Sequence, residues 1–411
     1  MASFWPWLPL LAVAQIYLTW RRVLAYLRYF QQEGYEHVRF LTWANVRSLT
    51  DPAFWLAVVA ALLALFAPLA AASGFIVGAV MLGALQPDPR HTGKIPLRLT
   101  WRARRVLIFA ILVASVAWIT MTKVFVASHL QAPLVASSLL LAVLPLVLVL
   151  ANACLIPYER HTQRAYEAQA VRRIADVGPF VVGITGSYGK SSAKSMLAHI
   201  LQFDAPTLAA TGSINTLMGI TRHIRQELVS GHKYMVVEMG AFKTGSIRRL
   251  CQLTPPSAGL ITAVGDMHLE RFGSPEQIVK AKSELAQAIP AGGLLVVNAD
   301  SPGALTIARG ATHCRVLLYG ETSTDSLETR IGEIVFSTQG TSFVLHAKGK
   351  DYRCFTPVHG RPIVLNLAGV FTLATAMGVE ADVAVAAMRT LKPVSNRLEV
   401  VEERGDRKSV V

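Results

Sequence analysis

Between Val106 and Leu155 the chain carries one formal charge, Lys123. A helix needs about 20 mostly apolar residues to cross a bilayer, with about 17 as the short limit. Residues 106–127 and 132–156 both meet that length, and a water-surrounded domain has no use for two such runs, so this half is expected to lie in lipid. Residues 3–19 add a short, tryptophan-bearing candidate. Residues 53–87 are long enough for two more if they turn tightly around Ala70-Ala71-Ala72-Ser73-Gly74. The expectation is an N-terminal α-helical transmembrane bundle of about five helices over residues 1–156.

Charge orients that bundle. Residues 1–175 hold 16 Lys and Arg against 6 Asp and Glu, so most of the net +14 belongs to the apolar half. The excess sits in two segments, 20–52 (Arg21, Arg22, Arg28, Arg39, Arg47) and 88–105 (Arg90, Lys94, Arg98, Arg102, Arg104, Arg105). Basic loops between apolar spans face the cytoplasm. That places the N-terminus outside, everything after residue 157 inside, and the chain in the cell (inner) membrane. The same clustering argues against a nucleic-acid partner. No cleavable leader is expected, because a basic start is missing and the first run leads into Trp20-Arg21-Arg22. With Lys123 alone near a span, no ion relay is visible. Anchoring is the simplest role, and binding a membrane lipid or lipid-linked substrate the sharper one. Residues 157–177 read as a basic connecting helix.

From residue 178 short apolar runs alternate with glycine and polar residues, the pattern of an α/β P-loop domain with a mostly parallel sheet, expected over 178–400. Phe180-Val181-Val182 reads as a buried strand and Ala193 to Leu201 as a helix. Between them lies Gly183-Ile184-Thr185-Gly186-Ser187-Tyr188-Gly189-Lys190-Ser191-Ser192. Glycines at a strand-to-helix turn let backbone N–H groups close around phosphate oxygens, and the helix N-terminus adds positive potential. Lys190 suits terminal phosphates, and Ser191 offers a hydroxyl to Mg2+. The strict spacing GxxxxGK[ST] would need glycine at 184, but that residue is Ile184 and the glycine is Gly183. The four cysteines (Cys154, Cys251, Cys314, Cys354) have neither metal nor disulfide-framework spacing, which fits a reducing compartment.

The pattern T-G-S-x-G-K-S resembles the phosphate loop of the Mur ligase family, and further segments resemble that family in order over 178–400. Val236-Val237-Glu238-Met239-Gly240-Ala241 puts a carboxylate at a strand end, where the family has a magnesium-binding glutamate. Gly265-Asp266-Met267-His268 follows the strand Gly259 to Val264, with His268 resembling a metal-binding histidine. Ala281-Lys282-Ser283-Glu284-Leu285 resembles the segment whose lysine is carbamylated into a carboxylate-like metal ligand. Thr211 to Thr216, with Asn215 and Thr216, resembles a loop near the acyl substrate. Asn298, Asn366 and Arg397 fall at nucleotide-side positions.

The resemblance implies ATP as co-substrate, held by Thr185 to Ser192, Asn298, Asn366 and Arg397. It implies Mg2+ on Ser191, Glu238, His268 and carbamylated Lys282, with Lys190, Lys282 and His268 as catalytic groups. The implied reaction is carboxylate–amine ligation through an acyl phosphate. Glu238 to Ala241 and the His268-to-Lys282 stretch look most like the family member that adds D-alanyl-D-alanine to a UDP-muramoyl tripeptide in peptidoglycan precursor synthesis. The expected partners are a muramoyl-peptide or lipid-linked acyl substrate and an amino acid or dipeptide amine.

Three departures accompany the likeness. Apolar spans stand where family members grip the UDP-sugar, Pro362-Ile363 replaces a polar pair before Asn366, and the chain stops at Arg407 to Val411, where a third domain would begin. Residues 401–411 are read as the start of that domain or as a tail, so the sequence is a fragment or another chain supplies the rest. A P-loop transport ATPase would need an ABC-type signature or a strand ending in Asp, and neither is found. A ligase of another acidic polymer such as poly-γ-glutamate, and a non-catalytic ATP-binding membrane scaffold, stay open.

Overall fold

The computed structural model describes residues 7–410 apart from 49, 93, 94, 127–131, 268, 323–325, 393–399, 405 and 406. The chain divides into two units, Met1–Thr162 and Gln163–Val411.

The first unit is helical: α1 (Leu8–Gln32), α2 (His37–Ser48), α3 (Pro52–Leu63), α4 (Pro68–Leu85), α5 (Trp101–Val126) and the start of α6 (Ala132–Val177). Its interior holds small residues beside large ones such as Phe30, Phe40 and Phe75. Small residues face inward, among them Ala57, Ala60, Ala71, Ala79, Ala110 and Ala114, while Leu62, Val77, Ile108, Leu112, Val116 and Leu146 point outward. Small inward residues let helix backbones approach closely when the surroundings are as apolar as the side chains. Some buried polar groups are paired, as in Trp118 Nε1 donating to Ser137 Oγ at 2.9 Å.

The five expected spans are not what the helices provide. Among the described residues three helices are long and apolar enough to cross, in Pro68–Leu85, Trp101–Lys123 and Ala132–Val177, or four if the α2–α3 pair, bent by 58°, is one span. Two physical reasons account for the difference. Residues 53–87 do not turn at Ala70–Gly74, which lies inside α4. They break at residues 64–67, with Pro68 opening α4, so α3 has only 12 residues, about 18 Å at 1.5 Å per residue against a core of about 30 Å. The first apolar run continues without a break through Arg21, Arg22 and Arg28 as α1. Likewise 157–177 is not a separate helix but the continuation of the 46-residue α6, with Pro145 and Pro157 inside it.

The second unit runs β1 (Phe180–Thr185), α7 (Lys190–Leu201), β2 (Thr207–Ala209), α8 (Leu217–Glu227), β3 (Tyr234–Glu238), α9 (Ser246–Leu253), β4 (Ala258–Ile261), α10 (Leu269–Phe272), α11 (Pro275–Ala288), β5 (Leu294–Asn298), α12 (Pro302–Gly310) and β6 (Arg315–Gly320). It continues with β7 (Thr329–Ser337), β8 (Gly340–Ala347), β9 (Lys350–Thr356), α13 (Arg361–Ala376), α14 (Ala381–Met388) and a separate hairpin of β10 (Val400–Arg404) and β11 (Arg407–Val410). The main sheet has the order β2-β3-β1-β4-β5-β6-β7-β8-β9, parallel from β2 to β7 and antiparallel through β8 and β9.

Both faces of the parallel part are covered, which is why its strands are apolar at successive positions. Val182, Ile184 and Val236 pack with α7, α13 and α14, while the alternate residues Val181, Met235 and Val237 pack with α8, α9 and α11. The register aligns Ile184 with Glu238 on one side and Thr185 with Ile261 on the other. The carboxyl ends of β3, β1 and β4 therefore meet, and the chain leaves β1 and β4 toward opposite faces, the point where open α/β sheets bind ligands.

Candidate functional site

At that point the chain turns from β1 into α7 through a loop that only glycine can make. Gly186 has φ +156°, and a Cβ there would lie 2.0 Å from Thr262 Oγ1. Gly189 has φ +80°, and a Cβ on it would meet the Asn366 side-chain oxygen at 2.7 Å. Asn366, 7% exposed on α13, thus lies against the loop. Gly183 belongs to the strand instead. A Cβ on it would stand 2.7 Å from Leu285 of α11, so this glycine lets a helix lie close on the sheet.

The loop is fastened to the segment after β4. Ser187 N–H donates to the Ala263 carbonyl at 2.7 Å, Tyr188 N–H to the same oxygen at 3.3 Å, and Thr262 Oγ1 to the Tyr188 carbonyl at 2.6 Å. The Ser187 hydroxyl donates to Gly265 O at 2.8 Å and accepts from Gly265 N at 3.0 Å. Thr185 Oγ1 donates to Met239 O at 2.9 Å. The side chains of Thr185 and Ser187 therefore build the loop, and Tyr188, 52% exposed, faces outward.

Two lysines converge on it. Lys190 Nζ donates to the carbonyls of Gly186 at 2.7 Å and Ser187 at 3.0 Å. Lys282 Nζ, brought in by α11 and 4% exposed, donates to the same Gly186 oxygen at 2.8 Å. Burial, with Lys190 nearby, lowers the Lys282 pKa to about 7, since a low dielectric disfavours the ammonium. Two residues further along α11, the Glu284 carboxylate accepts from the backbone N–H groups of Gly245 and Arg248 and caps α9.

Across β1, Glu238 is 2% exposed. Its Oε1 accepts from Asn215 Nδ2 at 3.0 Å, and its Oε2 lies 3.7 Å from Lys194 Nζ without a hydrogen bond. Lys194 was missed in the sequence, where a lysine four residues after Lys190 reads as a solvated helix charge. The signal was its place on the otherwise apolar inward face of α7. Ser191 Oγ is 3.2 Å from Ser213 Oγ. Ser192 lines a cavity of about 360 Å³ with Ser195, His199 and Thr390, whose lining includes neither Lys190, Lys282 nor Glu238.

Other expected residues serve the backbone around them. Thr216 caps α8, its hydroxyl accepting from Gly219 N at 3.3 Å, and Asn298 Oδ1 accepts from Asp300 N at 3.0 Å. His268 and Arg397 lie outside the described residues.

Magnesium takes hard oxygen donors and commonly only one or two carboxylates, completing its shell with substrate phosphates and water. The unbonded Glu238 Oε2 and the Ser191 hydroxyl are of that kind. Among the described residues no group of three or more His, Cys, Asp or Glu could hold a metal by itself. The donor set fits a metal that arrives with a polyphosphate. Burial pushes the Cys251 and Cys354 thiols up to about 12, away from the reactive thiolate form.

The α/β unit has known relatives. Residues 184–374 fit the model of the Mur ligase middle domain. Over those residues the α/β unit is similar to that domain. The chain is 32% identical over 239 residues to the UDP-N-acetylmuramoyl-tripeptide–D-alanyl-D-alanine ligase of Mycobacterium tuberculosis strain H37Rv, covering 57% of this chain and 45% of that one. It is 31% identical over 218 residues to the ligase of the same name from Escherichia coli K12, covering 53% and 48%. Among solved structures, MurF from Acinetobacter baumannii superposes with a TM-score of 0.56 at 27% identity, covering 59% of this chain and 53% of that one. The chain spans about half the length of these relatives. The matched residues include the β1–α7 loop, β3 and α11.

Proposed function

We propose that this chain binds ATP with magnesium at residues 186–192 and uses it to join a carboxylate to an amine, as a membrane-held ligase in peptidoglycan precursor synthesis. The acyl substrate is a muramoyl peptide, free or lipid-linked, and the amine is D-alanyl-D-alanine. The observation that carries this reading is the convergence of Lys190 and Lys282 on Gly186 O beside the buried Glu238.

The chemistry has an electrostatic difficulty, because a carboxylate must approach a polyphosphate of the same sign. Lys190 and the start of α7 offset that repulsion and hold the terminal phosphate in line for attack by the carboxylate oxygen. The carboxylate becomes an acyl phosphate as ADP leaves. The amine then adds to the acyl carbon, a proton is lost, and phosphate departs. Magnesium, when bound, supplies charge neutralisation between phosphate oxygens, with Glu238 and Ser191 as its holders from the protein. A lysine whose pKa is lowered to about 7 is about half unprotonated amine at neutral pH, against well under about 1% for an ordinary lysine. That is the form that reacts with carbon dioxide to give a carbamate, so Lys282 is proposed to be carbamylated and to act as an oxygen donor. Asn366, against Gly189, is proposed to face the nucleotide.

The apolar helices α4, α5 and α6 support anchoring in the membrane, with the ligase domain on the cytoplasmic side where ATP is available. The test is ATP-dependent amide formation by the purified full chain in detergent, with UDP-muramoyl tripeptide and D-alanyl-D-alanine, against Lys190→Ala. ATP binding with weak amide formation by wild type, and neither by the variant, is expected. ATP binding without any amide product would overturn the ligase reading and leave an ATP-binding scaffold.

A further inference from the structure

The arginines of the first basic segment do more than mark a membrane side. Arg22, Arg28 and Arg47 line one cavity of about 520 Å³, together with Tyr26, Trp43 and Asp51. Residues from α1, α2, the α2–α3 junction and the last turn of α4 meet there. A topology signal needs only basic residues exposed in a loop. Gathering three guanidinium groups around one cavity opposes their mutual repulsion and implies a negative partner.

Among the described residues that line this cavity Asp51 is the one carboxylate, and it is in use. Asp51 pairs with Arg22, accepts from Tyr26 Oη at 3.1 Å, and caps α3 by accepting from Ala53 N at 2.9 Å. No carboxylate among the described residues pairs with Arg28 or Arg47. The Nε–H groups of Arg22 and Arg28 are buried without an acceptor, and a desolvated donor in that state is costly. The aromatic wall is fixed by Tyr29 stacked on Trp43 at 3.9 Å, with the Arg28 guanidinium 5.4 Å from the Tyr29 ring centre.

The lining also takes in Leu82 and Leu85, where the apolar helix α4 ends at Gln86. A cavity lined both by guanidinium forks and by the end of an apolar helix matches an amphiphile's head: forks engage phosphate oxygens in pairs, and the leucines accept methylenes. We propose that this cavity binds a phosphate-bearing headgroup. The proposal goes beyond the ligase reading and rests on none of its residues.

The full chain is placed in phosphatidylcholine nanodiscs doped with phosphatidylglycerol, and retained lipid is read by native mass spectrometry. In parallel, inorganic diphosphate is titrated onto the detergent-solubilised chain by thermal shift. Arg28→Gln/Arg47→Gln is compared with wild type and with Arg160→Gln on α6. At about 1 kcal/mol per arginine the double variant should bind phosphatidylglycerol, diphosphate or both about thirtyfold more weakly, and Arg160→Gln as wild type does. Selective retention of phosphatidylglycerol identifies the source as lipid, and a diphosphate response identifies it as free phosphate. Either response, lost in the double variant, supports the site. Should the glutamine variant fail to fold, Arg28→Lys/Arg47→Lys keeps the charge and is expected to bind with intermediate strength. Unchanged binding in whichever variant folds, or no preference of wild type over phosphatidylcholine together with no diphosphate response, overturns the proposal.

Discussion

Lys190 and Lys282 share one acceptor, the carbonyl oxygen of Gly186, at 2.7 and 2.8 Å. The Lys190 ammonium and the Lys282 amine thus meet at one oxygen of the loop, with Lys190 carrying the positive charge there. Removing Lys190 takes away a charge that reaches the loop from the first residue of α7. Lys190→Ala is expected to weaken ATP binding by at least about a hundredfold, with charge-assisted bonds contributing about 1.5–3 kcal/mol each. Isothermal titration calorimetry checks this, and binding at wild-type strength would contradict it.

Lys282 makes a pH-dependent claim. Its pKa is about 7 when folded against 10.5 for the free side chain, so between those values the unfolded chain binds more protons and stability rises with pH. The burial penalty is complete below pH 7 and fades toward pH 10.5. Lys282→Met, in ligand-free and bicarbonate-free buffer, should therefore raise the melting temperature most at pH 6.5 and least at pH 10. The gain is on the order of a few kcal/mol at the acid end. A gain that grows with pH would have the wrong sign.

Lys194 and Glu238 form an ion pair with both side chains 1% exposed. Breaking a buried pair from one side leaves an uncompensated charge and costs about 3–5 kcal/mol. Lys194→Met and Glu238→Gln should each lower the melting temperature sharply, and the double variant by less than their sum. Additive losses in this cycle would show that the two do not couple.

Glycine identity matters at 186 and not at 310. Gly186→Ala meets Thr262 Oγ1 at 2.0 Å, whereas a Cβ at Gly310 meets nothing within 4 Å. Gly186→Ala should lose nucleotide binding and about 2 kcal/mol or more of stability, while Gly310→Ala should stay within about 0.5 kcal/mol of wild type. Thermal melts with and without ATP distinguish them.

The strand–loop–helix unit was legible because glycine spacing, an apolar strand and a helical period agree at one place, and Glu238 was legible as a carboxylate closing an apolar run. Lys194 was not, since charge on a helix ordinarily means solvent and only the fold supplies its partner. The apolar half was misread at 53–87 for a related reason. Ala70 to Gly74 looked like a turn because small residues favour turns in water, yet inside an apolar bundle small residues are contact surfaces. The break is instead marked by Pro68, which begins α4 at a position where its missing N–H costs nothing. Pro157 suggested a boundary that α6 passes through.

Gly183 admits Leu285 close against β1, and Leu285 sits three residues beyond Lys282 on the same side of α11. A methyl group at 183 would have to displace the ends of the Leu285 and Met239 side chains, which a Cβ there meets at 2.7 and 3.0 Å. The glycine that falls one place early for an ordinary phosphate loop thus keeps room on β1 for the face of the helix that carries Lys282.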